Sequence, residues 1–219
     1  MRLSAGTVIH AQAVLFDMDG TLIDSTAIVE RLWHGWAERH GVDAAAILRV
    51  SHGVRMMETL RRFTPAGVDI NAEAAWLAAR EMAERTGIVA VPGAAALLAA
   101  LPRDRWAVVT SATRDLAVLR FQLAGLPVPE TLVSAEDVAA SKPEPEGYLR
   151  AARTLGVDAR ACVVIEDAPA GFAAGHAAGA RVIALATTLA PEELDAEEWL
   201  PDLRPLRVTA TGLDLLLEV

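Results

Sequence analysis

Asp17 and Asp19 stand two positions apart directly behind the apolar run Ala13–Phe16, with Gly20 and Thr21 next in line. An uninterrupted apolar run of this kind reads as a strand buried on both faces. Acids at the end of such a strand are costly unless something uses their charge. Two other runs end the same way. Trp106–Val109 leads into Thr110, Ser111 and Ala112, and Cys162–Ile165 leads into Glu166 and Asp167. In an open parallel sheet the carboxyl ends of the strands border the ligand crevice, so these clusters are expected to meet there. Lys142, in the stretch ASKPEPEGY behind TLVSAEDV, is the fourth element.

The chemistry follows from the charges. Carboxylates gathered in one crevice repel one another, and they take up protons or a cation. Hard oxygen donors suit Mg²⁺, which is held by one or two carboxylates together with substrate phosphate and water. A lysine beside them binds phosphate as a point charge. A carboxylate can then attack phosphorus and form an aspartyl-phosphate, in a reaction governed by positioning and charge neutralisation. Mg²⁺, Lys142 and the Ser111 hydroxyl would serve the phosphate oxygens, flanked by Thr110 and Ala112. Gly20 and Thr21 would form a tight turn with backbone N–H groups aimed inward. Asp19 would give a proton to the leaving alcohol and later take one from water. Each residue also has a plainer reading. Asp-Gly is a common turn, Ser111 or Thr113 suits a helix N-cap, and Glu166 and Asp167 suit the start of a helix at 169–179.

Positioning these groups takes a sheet. Five short apolar runs read as buried strands: 13–16, 106–109, 131–133, 162–165 and 181–185. Helical patterns fall between them at 114–125 and 143–156, the second opening with proline and acids. The alternation predicts an α/β fold, a doubly wound, Rossmann-like parallel sheet. Residues 25–90 show no strand pattern. Ile28, Leu32 and Trp36 recur at helical spacing, and GVRMMETLRRF and NAEAAWLAAREMAERTG read as two more helices. The expected organisation is a core of 1–24 and 91–219 with an inserted α-helical cap at 25–90. The acidic stretch 189–205 is expected to be a solvated surface. Gly171, Gly175 and Gly179 share one helix face and are expected to let that helix press against the sheet.

Composition bounds the partners. The chain has 219 residues, 53% of them hydrophobic, and a formal net charge of −9. That length and composition describe a globular chain with a real core. The negative charge argues against a nucleic-acid partner, and no apolar run approaches the length of a membrane span. Cys162 is the only cysteine, and the first residues lack the apolar stretch of a signal peptide. A cytoplasmic location, a small phosphorylated metabolite as partner, and a monomer or weak dimer are expected.

In their wording these motifs resemble the haloacid dehalogenase superfamily of phosphohydrolases. FDMDGT at 16–21, VVTSAT at 108–113, SKPEP at 141–145 and IEDAPAGFAAGHAAGA at 165–180 stand in the family's order. The resemblance covers nearly the whole chain. It implies Asp17 as nucleophile and Asp19 as acid/base, with Ser111 and Lys142 on the phosphate. It further implies that Asp17, the Asp19 carbonyl and Asp167 hold Mg²⁺, with Glu166 close to or in the shell. The fuller wording, with SHGVRMMETL at 51–60 and ATT at 186–188, resembles the glycerol-3-phosphate and small sugar-phosphate phosphatase branch. His52 and Arg55 are its candidates for substrate contact from the cap. Four alternatives bear on function. A β-phosphoglucomutase-like mutase would share the catalytic set, a metabolite sensor would keep the fold without turnover, and a dehalogenase would lack Asp19. A phosphonate hydrolase would need a cap lysine, and residues 25–90 contain none.

Overall fold

The computed structural model describes residues 1–194, 197–211 and 214–219. In chain order it runs β1 (Val8–Ala11), β2 (Ala13–Phe16), β3 (Ile23–Asp24), α1 (Thr26–His40), α2 (Ala44–Ser51), α3 (Met56–Phe63), α4 (Ile70–Ala83) and β4 (Val89–Ala90). There follow α5 (Ala94–Ala100), β5 (Trp106–Val109), α6 (Arg114–Leu123), β6 (Leu132–Val133), α7 (Glu146–Thr154) and β7 (Cys162–Glu166). The chain ends with α8 (Pro169–Ala177), β8 (Arg181–Leu185), β9 (Glu198–Leu200), β10 (Arg207–Thr211) and β11 (Asp214–Glu218).

Six strands form one parallel sheet in the order β6-β5-β2-β7-β8-β9. The chain enters at β2, builds outward through β5 and β6, then returns to the other side of β2 for β7, β8 and β9. This reversal is the doubly wound arrangement expected from the alternating pattern. Side chains alternate along β2. Val14 and Phe16 face a core shared with Leu97 and Leu98 of α5 and Ala117 and Phe121 of α6. Ala13 and Leu15 face the opposite core, with Tyr148 and Ala151 of α7 and Phe172 and Ala174 of α8. Both faces are covered, which is why these strands read as continuous apolar runs.

The helices α1–α4 gather around a third apolar cluster of Trp33, Trp36, Ile47, Leu60 and Leu77. Trp33 and Trp36 meet edge to face with ring centres 5.8 Å apart. Asp43 and Asp69 cap α2 and α4 through side-chain bonds to Ala45 and Asn71 backbone N–H groups. Two corrections apply to this stretch. It holds four helices, α2 being the additional one. It also ends in a strand, because Val89–Ala90 pairs antiparallel with Ile23–Asp24 and ties the entry and exit of the helical layer together.

The expectation of a solvated surface over 189–205 holds only in part: Ala190, Pro191, Glu192 and Glu193 are exposed, while other described residues of the segment are packed. Glu198–Leu200 is the sixth strand of the sheet, and Leu194, Leu200 and Leu203 are buried. Two of its acids form ion pairs with arginines. Glu198 pairs with Arg181 and Asp202 with Arg204. A small antiparallel sheet, β1-β11-β10, joins the two ends of the chain. Among the described residues no helix is long and apolar enough to cross a membrane.

Candidate active site

The strands β5, β2 and β7 are direct neighbours, so their carboxyl ends bring Ser111, Asp17 and Glu166 to one edge of the sheet. Lys142 arrives from the loop before α7. Asp17, Lys142, Glu166 and Asp167 are all buried. Lys142 Nζ donates to Asp17 Oδ1 at 2.5 Å and to Glu166 Oε1 at 2.7 Å. Tyr148 of α7 adds a hydroxyl bond to the same Glu166 oxygen at 3.3 Å. The second Glu166 oxygen accepts the backbone N–H groups of Asp167 and Ala168 at 2.7 and 2.8 Å. Both Glu166 oxygens are therefore engaged, one on the lysine and one on the turn into α8. Glu166 thus fixes Lys142 on one side and the turn into α8 on the other.

Glycine makes room for this packing. A Cβ on Gly171 would fall 1.6 Å from Glu166 Oε1. A Cβ on Gly175 would fall 2.8 Å from Val182 and 3.1 Å from Val164. The expected glycine face holds for two residues, Gly175 pressing α8 onto the sheet and Gly171 clearing space for a carboxylate, while Gly179 lies beyond the end of α8 at φ +81° and is not part of that face.

Asp167 is oriented by hydroxyls. Thr21 Oγ1 donates to its Oδ1 at 3.0 Å, and Thr188 donates to its Oδ2. Thr187 Oγ1 donates to the Gly20 carbonyl at 2.6 Å. Gly20 has φ +85°, and a Cβ there would lie 2.1 Å from Asp167 Oδ2, so the turn requires glycine twice over. The Gly20 N–H does not point into the site, as the sequence suggested. It closes the turn on the Ile23 carbonyl at 2.8 Å. Thr21 likewise serves Asp167 with its side chain.

One carboxylate oxygen from each of Asp17, Glu166 and Asp167 lies within 4.8 Å of the others. Three buried acids face one ammonium, leaving excess negative charge. Burial, with Glu166 and Asp167 alongside, pushes Asp17 well above the usual carboxylate range, although Lys142 pulls the other way. Burial and Glu166 push Asp167 up to about 7 against its two hydroxyl partners. Lys142 is held well above its ordinary value, because its carboxylate partners outweigh the cost of burial. Hard oxygen donors with unneutralised charge fit a divalent cation of the Mg²⁺ type.

Above this cluster lies a chamber of about 340 Å³. Asp17, Asp19, Gly20, Thr110, Ser111 and Ala112 border it from the sheet side; His52 and Arg55 border it from the helical layer. Lys142 lines a small second cleft together with Arg55, Thr110 and Ser111. The Asp19 side chain turns away from the acidic cluster, with Oδ1 accepting from Ser25 Oγ at 2.7 Å and Oδ2 from Arg120 at 2.6 Å. Ser111 Oγ donates to the Gly53 carbonyl at 2.8 Å. Thr110 Oγ1 accepts the Ala112 N–H at 3.1 Å and shapes the loop, while Thr113 is the N-cap of α6. Arg55 donates to the Val138 carbonyl at 2.8 Å. Burial lowers the His52 pKa, partly offset by Glu30 and Asp19. Ser51 Oγ, Arg55 Nε and Arg120 Nε are buried without partners and belong to residues lining the chamber.

Several neighbours went unassigned in the sequence. Arg120 and Glu81 sit in helices whose patterns look like ordinary amphipathic faces, so nothing local marks them. Tyr148 reads as a core aromatic. Thr187 and Thr188 were visible in the ATT stretch but carried no role.

Comparison with known proteins agrees with this geometry. The chain is 46% identical over 180 residues to hexitol phosphatase A of Escherichia coli strain K12, covering 80% of this chain and 83% of that one. It is 38% identical over 189 residues to glycerol-1-phosphate phosphohydrolase 1 of Saccharomyces cerevisiae, covering 80% and 75%. A hydrolase from Pseudomonas syringae shares the fold with a TM-score of 0.78 at 24% identity, covering 88% of this chain and 94% of that one. Residues 11–179 match the family of haloacid dehalogenase-like hydrolases. That span runs from the first acids through α8, and with these relatives it makes the chain a member of the haloacid dehalogenase-like hydrolase family.

Proposed function

We propose that this chain is a Mg²⁺-dependent phosphatase that hydrolyses a small phosphorylated sugar or polyol through an aspartyl-phosphate on Asp17. The observation that carries this reading is the Asp17–Lys142–Glu166–Asp167 cluster set beneath a chamber of about 340 Å³. The relatives named for hexitol and glycerol phosphate hydrolysis support the substrate class.

Asp17 attacks phosphorus, and the ester P–O bond breaks toward the substrate carbon skeleton. Asp19 gives its proton to the departing oxygen. Asp19 then takes a proton from water, which attacks phosphorus and breaks the bond to Asp17. Lys142 offsets the repulsion between the carboxylate and the phosphate, and Ser111 leaves the Gly53 carbonyl to donate to a phosphate oxygen. Asp17, the Asp19 carbonyl and Asp167 would hold Mg²⁺, with Glu166 fixing Lys142 beside them. The ion supplies charge neutralisation for the phosphate oxygens. Residues 25–90 act as a cap over a core of 1–24 and 91–219, with His52 and Arg55 turned to the substrate. Cap closure excludes water from the first step and opening admits it to the second.

The test is inorganic phosphate release from a panel of phosphorylated polyols and hexoses, with Mg²⁺ and with chelator. Metal-dependent release supports the reading. Isomer formation without phosphate release would assign a mutase, and no turnover on any ester would assign a binding protein.

A further inference from the structure

Arg120 lies on α6, outside the strand-end clusters, yet it is only 3% exposed and borders the chamber. Its Nη1 donates to Asp19 Oδ2 at 2.6 Å, and its Nη2 donates to Glu81 Oε1 at 3.2 Å. Glu81 belongs to α4, in the helical layer. A chain of contacts, Asp19–Arg120–Glu81, therefore crosses from the sheet edge through a core helix to the layer above. With Ser25 on the other oxygen, the Asp19 carboxylate is held at both ends.

Stability alone does not account for this arginine. A buried ion pair is often no better than an apolar side chain of similar volume, and its Nε has no partner. The guanidinium fork does offer two rigid donor directions, suited to holding two carboxylates in fixed relation.

We propose that Arg120 is a positioning residue for Asp19, and that Glu81 makes this positioning depend on the helical layer resting on the core. The inference rests on the phosphatase reading above. Asp19 exchanges protons first with the leaving oxygen and then with water, and both transfers need hydrogen-bond reach. Without Arg120, Ser25 is the one remaining side-chain partner of the carboxylate among the described residues. With the layer lifted, Glu81 no longer anchors Arg120, so Asp19 is aligned for the second transfer only once the layer has closed again over the admitted water.

The experiment measures kcat and KM for glycerol 3-phosphate or glucose 6-phosphate, whichever the wild type hydrolyses, with Mg²⁺ present. A wild type that releases no phosphate from any ester overturns the phosphatase reading before any variant is compared. With an active wild type, Arg120→Met is expected to lower kcat about 10²-fold and leave KM within about threefold. Arg120→Lys is expected to recover part of the loss, and Glu81→Gln to lower kcat by a smaller factor. In an Asp19→Ala background, Arg120→Met is expected to add no further loss, since its effect passes through Asp19. An unchanged kcat, a loss carried mainly by KM, or a loss that persists undiminished without Asp19 would overturn the inference. Should Arg120→Met fail to fold, Glu81→Gln with Asp19→Ala runs the same cycle under the same criteria.

Discussion

Lys142 and Asp17 are separated by 125 residues in sequence and meet in a buried ion pair of 2.5 Å. The same ammonium reaches Glu166 at 2.7 Å, so one cation holds two acids that would otherwise face each other unshielded. Lys142→Met removes that cation and leaves both carboxylates buried. Breaking a buried pair on one side costs roughly 3–5 kcal/mol. The expected outcome is a loss of that order in urea unfolding of the metal-free protein, together with loss of turnover. A stability within about 0.5 kcal/mol of wild type would mean that the pair is not closed in solution.

The acids also link metal binding to pH. Asp167 is raised to about 7, and Asp17 is raised as well, chiefly by burial. Raised carboxylate pKa values mean that the folded, metal-free protein keeps protons the unfolded chain has released. For Asp167 this contribution to stability is complete below the ordinary carboxylate range and is lost as pH rises through about 7, and Asp17 acts in the same direction. A divalent ion needs these groups deprotonated, so its binding releases protons. The increment in Tm produced by saturating Mg²⁺ is therefore expected to grow between about pH 5.5 and pH 8. An increment that is flat or shrinks across that range would contradict this assignment of the acids.

Gly171 tests the placement of Glu166. Its Cβ position overlaps the Glu166 carboxylate, while a Cβ at Gly35, inside α1, meets nothing within 4 Å. Gly171→Ala is expected to destabilise by roughly 1–3 kcal/mol through overpacking, and to lower kcat because Glu166 no longer fixes Lys142. Gly35→Ala is expected to stabilise by about 0.5–1 kcal/mol at unchanged activity. Thermal unfolding and phosphate release on both variants check this. Equal effects at the two glycines would refute the crowding argument.

Much of this structure was legible because burial writes itself into the sequence. The five apolar runs became five of the six sheet strands with boundaries shifted by at most one residue. The acids and hydroxyls behind β2, β5 and β7 stood out because a polar group at the end of a doubly buried strand is costly unless its charge or hydrogen bonds are used. Glu198–Leu200 was hidden, since an edge strand among acids carries half the apolar signal of a central one. The β3–β4 pair is two residues per strand, too short for any periodicity. Arg120 and Glu81 show the deeper limit. Each occupies an ordinary helical position, and only the docking of α4 against α6 brings them to Asp19.

The mechanism turns on Asp17 carrying the phosphoryl group between substrate and water. Rapid acid quench of the enzyme with a radiolabelled phosphate ester and Mg²⁺, followed by peptide mapping, addresses this step. The expected result is a hydroxylamine-labile phosphoryl group on the peptide bearing Asp17, absent with chelator and absent in Asp17→Asn. Label on another residue, or steady turnover by Asp17→Asn at the wild-type rate, would contradict it.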